Sequence, residues 1–528
     1  MTITAYSSAQ AIAIVLILAY LIKKFVLTPN TLPLPPGPRG IPIFGNIADL
    51  PPKGTLEWKH WLKFKDVYGG MCTIQVMGQT IILMHDLEAT LELLDKRGAK
   101  YSSRGRQVFA GEMCGYNERM PFRSNNHIFR RQRKLAGGQL GTRSAITRYH
   151  SAMDLEVRRF LLRTLNKPEG VIGHLETESG SLMLSMLYGY TPSPHTPDAL
   201  VRLINTVMEE FSKAVVVGAW MVDILPFLRF LPDWVPGTCF KKTARQWKKD
   251  SDNSMNVPVD FVTQQIAQNS AKPSYVERLL RANPNDAEVK MDTEQSAAAL
   301  YAGGADSTAA GLSFFFLAMT AFPDVQAKAR EEIDRVVGPD RLPGFQDRDK
   351  LPYIEAVIKE TLRWHPLAPI GPPHLADEED EFRGYRIPKG AMILPSIKWF
   401  SSDPAVYPDP EAFKPERFLG PNPQPDPAKY IFGFGRRICP GRLLADSNIF
   451  LTIAQTLAVF DIRKAVDKET GRVVEPMVGT TAGLVAHPLL FECRIVPRSE
   501  RCVEVIREVE REHPWEVGDA RFLRGLEV

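Results

Sequence analysis

The chain has 528 residues, 44% of them hydrophobic and 24% charged, which is an ordinary globular composition and enough length for one large core or two to three small domains. Lys+Arg 65 against Asp+Glu 61 leave a net charge of +4, too balanced for nucleic acid as the main partner. The six cysteines (Cys72, Cys114, Cys239, Cys439, Cys493, Cys502) are scattered, with no C-x-x-C pair. That argues against a zinc module or a disulfide framework and fits a reducing compartment.

The N-terminus is apolar from Ala9 to Ile22, then carries Lys23 and Lys24 ahead of Phe25-Val-Leu27. The run approaches the ~20 residues that span a bilayer. No charge precedes it, unlike a cleavable secretory signal. The flanking lysines predict a signal anchor over residues 1–28, with its N-terminus in the lumen and the rest of the chain in the cytosol. A buried helix is the alternative. Leu32 to Pro42 holds five prolines, which forbids helix and predicts a stiff extended linker over residues 29–46.

Thr55 to Tyr68 reads as a helix. A strand pair follows, Met71 to Met77 and Ile81 to Met84, joined by a turn at Gly78-Gln-Thr80. Cys72 fits a small buried hydrophobe there. Arg123 to Leu135 predicts a helix carrying Phe129-Arg-Arg-Gln-Arg-Lys134, either a solvated basic face or a dock for an acidic electron donor. Residues 150–290 are mostly helical by periodicity. Within them Val215 to Leu231 is unusually apolar and is followed by Lys241, Lys242, Arg245, Lys248 and Lys249. It is a core helix pair or a lid that dips into a membrane.

Thr293 to Phe322 predicts a long apolar helix interrupted by Ala302-Gly-Gly-Ala-Asp-Ser-Thr-Ala309. Each of Gly303 and Gly304 weakens a helix by about 1 kcal/mol relative to alanine. Asp306, Ser307 and Thr308 follow at once, as solvated residues at a kink or as functional groups. Tyr353 to Trp364 predicts an amphipathic helix whose Glu360 and Arg363, at i and i+3, share a face. Gly384 to Gly390 reads as a strand and turn. The tail, residues 499–528, predicts a charged surface helix through Glu512, with no function assigned.

Phe432-Gly-Phe-Gly-Arg-Arg-Ile-Cys-Pro-Gly441 is the most specific stretch. Gly433 and Gly435 permit tight turns. Arg436 and Arg437 are expected to put positive charge beside the Cys439 sulfur. Pro440 and Gly441 open a helix from Leu443 to Phe460, whose N-terminal dipole favours a thiolate. Such a thiolate suits axial ligation of haem iron, with cations for the propionates. A lone cysteine is otherwise a small buried hydrophobe.

Phe432, Gly435, Arg437, Cys439 and Gly441 reproduce the F-x-x-G-x-R-x-C-x-G signature, and the chain resembles the cytochrome P450 superfamily over about residues 30–498. The proline-rich linker resembles that family's hinge. The resemblance implies a mainly α fold with a smaller β region, plus one N-terminal transmembrane helix. It implies a catalytic domain at 47–498, a charged extension at 499–528, and haem b with Cys439 as the iron ligand. The cofactor-binding set it implies is Cys439, Arg437, Arg133, Phe432, Gly435, Gly441 and His374. Arg133 matches the family's W-x-x-x-R, with Phe129 in place of the tryptophan. Gly303, Gly304, Asp306 and Thr308 match [AG]-G-x-[DE]-T-[TS], with Ser307 where threonine is usual. This implies room for dioxygen and a proton relay through Asp306, Ser307 and Thr308. E-x-x-R and P-E-R-F assign Glu360, Arg363 and Arg417 to one structural ion-pair core. Leu367 to His374 and Val478 to Ala482 would line an apolar substrate pocket.

The style resembles fungal microsomal secondary-metabolism monooxygenases, such as the O-methylsterigmatocystin oxidoreductase type. The implied setting is the endoplasmic reticulum membrane. The implied partners are an NADPH-dependent flavoprotein reductase, cytochrome b5 as an optional second donor, and a hydrophobic small molecule. Two alternatives stand beside this. A haem-thiolate isomerase, dehydratase or peroxide-using enzyme would need neither reductase nor relay. A membrane-tethered haem sensor would need no chemistry.

Overall fold

The computed structural model describes residues 32–52, 54–194, 198–216 and 219–523, and the expected anchor at 1–28 lies outside them. Helix α1 (Glu57–Tyr68) leads into strands β1 (Met71–Val76) and β2 (Gln79–Met84). The helical body follows: α2 (His127–Leu140), α3 (His150–Asn166), α4 (Val171–Tyr188), α5 (Ala199–Ala214), α6 (Cys239–Ala267), α7 (Tyr275–Ala282), α8 (Ala287–Ala321), α9 (Pro323–Val336) and α10 (Pro352–Trp364). Short strands β3 (His374–Leu375), β4 (Asp380–Phe382), β5 (Tyr385–Ile387) and β6 (Met392–Pro395) precede α11 (Arg442–Val459). Strands β7 (Phe460–Lys464) and β8 (Cys493–Pro497) and helix α12 (Glu500–Glu512) close the chain. The architecture is mainly α with a smaller β region.

Helix α8 is the axis of the core. It packs against α4, α2, α7 and α11, and Leu312 and Phe314 to Met319 are buried there. The helix begins six residues before the expected Thr293 because the Asp286 carboxylate caps it, accepting from the amides of Glu288 and Val289. It ends at Ala321, just ahead of Pro323. Helix α2 instead starts later than expected, at His127, where Asn126 accepts from the Phe129 amide. Among the described residues no single helix is long and apolar enough to cross a membrane; the apolar pair α8 and α9 is bent by 105°.

The main sheet runs β1-β2-β6-β3, and β2 pairs with β6 in parallel. The β1–β2 hairpin turns at Met77-Gly78, not at Gly78-Gln-Thr80: Val76 pairs with Gln79, and φ is +47° at Met77 and +86° at Gly78. A two-residue turn with both centres left-handed matches the twist of its strands. The proline-rich segment is extended as expected, yet it is no free rod. Pro36 O accepts from Thr73 N at 2.9 Å and Pro33 O from Arg386 N at 2.8 Å, so the segment is laid along the sheet region.

Two expectations need correction. The described part of Val215–Leu231 is not a core helix pair. It folds as a four-residue helix, Met221–Ile224, and a 3-10 turn, Pro226–Phe230, and it exposes Phe227 and Phe230 by 59% and 75%. The segment lacks the length and period of a core helix. It is held from beneath by a clasp: Trp220 stacks on Phe109 at 3.6 Å, and Trp247 meets both rings edge-on. The second correction is the tail. Helix α12 is not merely on the surface, because its Cys502, Val505, Ile506 and Val509 are buried on the helical body. Beyond it, Trp515 lies against Arg159 and Arg163, and Asp519 bonds Thr191.

Candidate active site

The loop before α11 is a closed turn. Cys439 N donates to Phe432 O at 2.7 Å, which brings the ends of Phe432–Cys439 together. Gly435 sits at φ +52°, donates to Asp95, and leaves no room for a side chain: a Cβ would lie 2.2 Å from Leu94 O. The helix proper starts at Arg442 with Gly441 as its cap, so Cys439 stands just ahead of a helix N-terminus, as expected. The Gly441 amide donates toward its sulfur.

The charges around that sulfur differ from expectation. Burial pushes the Cys439 thiol up, and the cations opposing this are Arg133 and Arg442. Arg436 is exposed. Arg437 turns away, donating to Ser102 O (2.6 Å), Met120 O (3.3 Å) and Arg123 O (2.6 Å). Adjacent residues in a 3-10 turn point in different directions, so sequence neighbourhood misassigned the partners.

Arg437 belongs to a cluster of cations. Arg104 donates to Pro121 O (3.1 Å), Pro372 O (2.9 Å) and Pro373 O (2.6 Å). Burial pulls Arg437 down to about 9, with Arg104 and Arg133 adding like-charge repulsion, and pulls Arg104 down to about 10. Among the described residues none of Arg104, Arg133 and Arg437 pairs with a carboxylate oxygen. His374 completes the group. Burial, then Arg104 and Arg437, lower it to about 3, so the ring is neutral. Its Nδ1 lies 2.8 Å from Tyr101 O; a carbonyl only accepts, so Nδ1 carries the proton and Nε2 has none. Beneath Arg437 lies the buried Phe129 ring, with the guanidinium 3.7 Å from its centroid.

Helix α8 opens where its sequence breaks. Residues on either side are buried, whereas Gly303 is exposed and a Cβ there would meet nothing within 4 Å. At Gly304 a Cβ would crowd Met183 of α4. Ser307 Oγ donates back to Gly303 O at 2.5 Å, and Thr308 is buried. Asp306 Oδ1 lies 3.3 Å from His487 Nε2.

The ion-pair core is fully enclosed. Arg363 Nε and Nη2 donate to both Glu360 oxygens at 2.7 and 2.8 Å, and Nη1 donates to Ser401 O at 2.8 Å. Arg417 Nε donates to Glu360 Oε1 at 3.0 Å, as does the Lys414 amide at 2.8 Å. This ties α10 to the Pro415–Phe418 turn.

The family model described as Cytochrome P450 matches residues 35–491. This chain belongs to the cytochrome P450 family. It is 44% identical over 499 residues to cytochrome P450 monooxygenase CLM2 of Gibberella zeae, covering 93% of this chain and 94% of the relative. It is 44% identical over 515 residues to cytochrome P450 monooxygenase claR of Ampulloclitocybe clavipes, covering 97% and 95%. To O-methylsterigmatocystin oxidoreductase of Aspergillus flavus it is 39% identical over 510 residues, covering 95% of each. The P450 is an oxidoreductase of the monooxygenase class, and its family implies a haem-thiolate cofactor.

The residues present fit such a group. Three half-buried guanidiniums without a carboxylate among them suit an anionic ligand. Sequence reasoning missed Arg104 and His487. Arg104 lies in Tyr101-Ser-Ser-Arg104, a stretch with no periodicity or charge run to single it out. Of the basic helix, Arg131 is taken up by Glu288 and Asp292 of α8, leaving Arg130 and Lys134 exposed.

Proposed function

We propose that this P450 is a membrane-anchored monooxygenase of a hydrophobic small molecule of secondary metabolism. In this reading residues 1–28 anchor it in the endoplasmic reticulum membrane and residues 47–498 form the cytosolic catalytic domain. Electrons come from an NADPH-dependent flavoprotein reductase. The observation that carries the reading is the group of Arg104, Arg133 and Arg437, lacking carboxylate partners, whose Arg133 faces the Cys439 thiol.

Cys439 would hold the haem iron as thiolate, steadied by the Gly441 amide, Arg133 and Arg442. Arg104, Arg133 and Arg437 would bind the propionates. In its neutral form His374 has no N–H free for a propionate; its Nδ1–H is spent on the Tyr101 carbonyl. Phe432, Gly435 and Gly441 shape the loop. When bound, the haem supplies oxygen activation. Gly303 would keep the oxygen side of α8 open, and the Asp306 carboxylate would pass protons there. The Ser307 hydroxyl is engaged with Gly303 O, which leaves the buried Thr308 hydroxyl to steady the ligand. Phe227 and Phe230 would set the lid into the membrane surface.

The test is spectroscopic. Reduced protein under carbon monoxide is expected to show the thiolate-type Soret shift, and Cys439→Ser to lose it. A normal shift in that variant would remove Cys439 as ligand. Deleting residues 1–28 is expected to release the protein from membranes; full retention would move the anchor to the exposed Phe227–Phe230 surface.

A further inference from the structure

The loop between β7 and β8 reaches the one acid at the break in α8. Residues 480–488 form a small turn in which Thr480 bridges Pro488, Thr481 N donates to His487 O at 2.8 Å, and His487 N donates to Thr481 Oγ1 at 3.0 Å. The turn is fastened next to α10 by Ala486 N donating to Leu367 O at 2.7 Å. The His487 backbone is therefore held at both N–H and C=O, and its ring is presented to Asp306. Among the described residues Asp306 has one charged side-chain partner within ion-pair distance, and it is this ring.

The neighbouring groups are few. The charged or titratable groups that act on His487 are Asp306 of α8 and Glu176 of α4. Both are acids, and the Asp306 contact is the first cause of the rise in the imidazole's proton affinity. Glu176 is exposed, so this side of the pair meets solvent, and Asp306 and His487 each keep about a third of their side-chain surface. Ser307 Oγ is turned back onto Gly303 O and does not compete for the acid. An exposed ion pair used only for stability is worth ~0–1 kcal/mol. That small return does not account for a ring fixed at both backbone groups against the single acid of the helix break.

We propose that His487 is the positioning residue of Asp306 and its source of protons from solvent. This rests on the reading of Asp306 as the proton-delivering acid. In each transfer the imidazolium Nε2–H gives its proton to Asp306 Oδ1, leaving neutral imidazole and a carboxylic acid. The ring then recovers a proton from solvent, under the negative potential of Glu176. No electrons move in this step. The loop thus couples the shape of the last pocket turn to proton supply: displacing residues 480–488 would separate ring from acid.

The experiment uses the haem-loaded full chain with a microsomal reductase and no organic substrate, and measures hydrogen peroxide released per NADPH consumed. Proton delivery lets four electrons reduce dioxygen to water; without it the two-electron product, peroxide, escapes. The peroxide fraction of the wild type is expected to rise as pH climbs through the raised pKa of His487. Delivery by a positioned group is worth ~10²–10⁴-fold, and His487→Gln, acting through Asp306, is expected to slow water formation roughly ten-fold below the raised pKa of His487 and to converge with the wild type above it. His487→Lys keeps a cation in place, so it is expected to rescue the low fraction and to abolish the rise near neutrality. It also serves if His487→Gln folds poorly, which the carbon monoxide spectrum reveals.

A readout independent of turnover is the ¹³C-detected titration of the His487 ring, whose pKa is expected to fall towards its ordinary value in Asp306→Asn. A high peroxide fraction in Asp306→Asn with a wild-type profile in His487→Gln would overturn the role of His487 alone. A wild-type fraction in Asp306→Asn would overturn the relay itself. An unchanged His487 titration in Asp306→Asn would overturn the contact.

Discussion

The guanidinium of Arg437 lies 3.7 Å from the centroid of the Phe129 ring. The Phe129 side chain has no N–H to offer, but its π face supports one of the three cations proposed to receive the propionates. A cation over a desolvated aromatic face gains about 1–2 kcal/mol. Phe129→Leu keeps most of the packing and removes that face. It is expected to leave the melting temperature nearly unchanged and to speed haem transfer to apomyoglobin roughly ten-fold. Equal transfer rates would show that the ring serves packing alone.

Glu360 satisfies two buried arginines at once. Removing one partner of a buried pair costs roughly 3–5 kcal/mol because a charge is left without compensation. Glu360→Gln is therefore expected to lower the unfolding free energy by that amount, read as a lower urea midpoint, and to lower haem incorporation. Unfolding followed by tryptophan fluorescence provides the check.

Glu178 of α4 is a buried carboxyl that accepts from Asn448 Nδ2 of α11 and from Ser179 Oγ, each at 3.0 Å. Burial pushes it up to about 7. Its folded-state pKa is above its unfolded one. The folded protein therefore binds the proton more tightly, and stability falls as pH rises from about 4.5 to about 7. At about 1.4 kcal/mol per unit the fall is about 3 kcal/mol. Glu178→Gln is expected to flatten this slope and to stabilise the protein above pH 7, as read from urea midpoints across that range.

Trp515, beyond α12, receives Arg159 at 4.8 Å and Arg163 at 5.7 Å on its ring. Both arginines also face Glu156. The tail thus closes a buried polar cluster on α3. Trp515→Ala is expected to destabilise by about 1–2 kcal/mol. Truncation after Arg498 should cost more, since it also uncovers the buried face of α12; calorimetric melting separates the two.

The cysteine loop, the Glu360–Arg363 pair and the Asp306 break were legible in the sequence because each depends on residues within one turn or one helix. Arg417 was assignable only through the family's motif. What stayed hidden depends on chain segments far apart. Arg104 reaches the cluster from an irregular segment before α2, and His487 reaches Asp306 from the far end of the chain. Neither has a local pattern. Phe129 was read for the donor it lacks, while the cation it carries comes from the cysteine loop. Arg436 and Arg437 were placed by adjacency, which a 3-10 turn does not respect.

The parallel pairing of β2 with β6 also governs how the protein is made. Gln79 Nε2 donates to Gly390 O, 311 positions apart, and the neighbouring ladder joins Ile81–Met84 to Met392–Pro395. A ribosome adding ~5–20 residues per second takes roughly 15–60 s to supply that partner. Through that interval the edge carrying Ile82, Leu83 and Met84, all buried in the finished protein, waits without its neighbour. Nascent chains shielded by a chaperone over this edge are expected to reach the folded state in higher yield than naked ones.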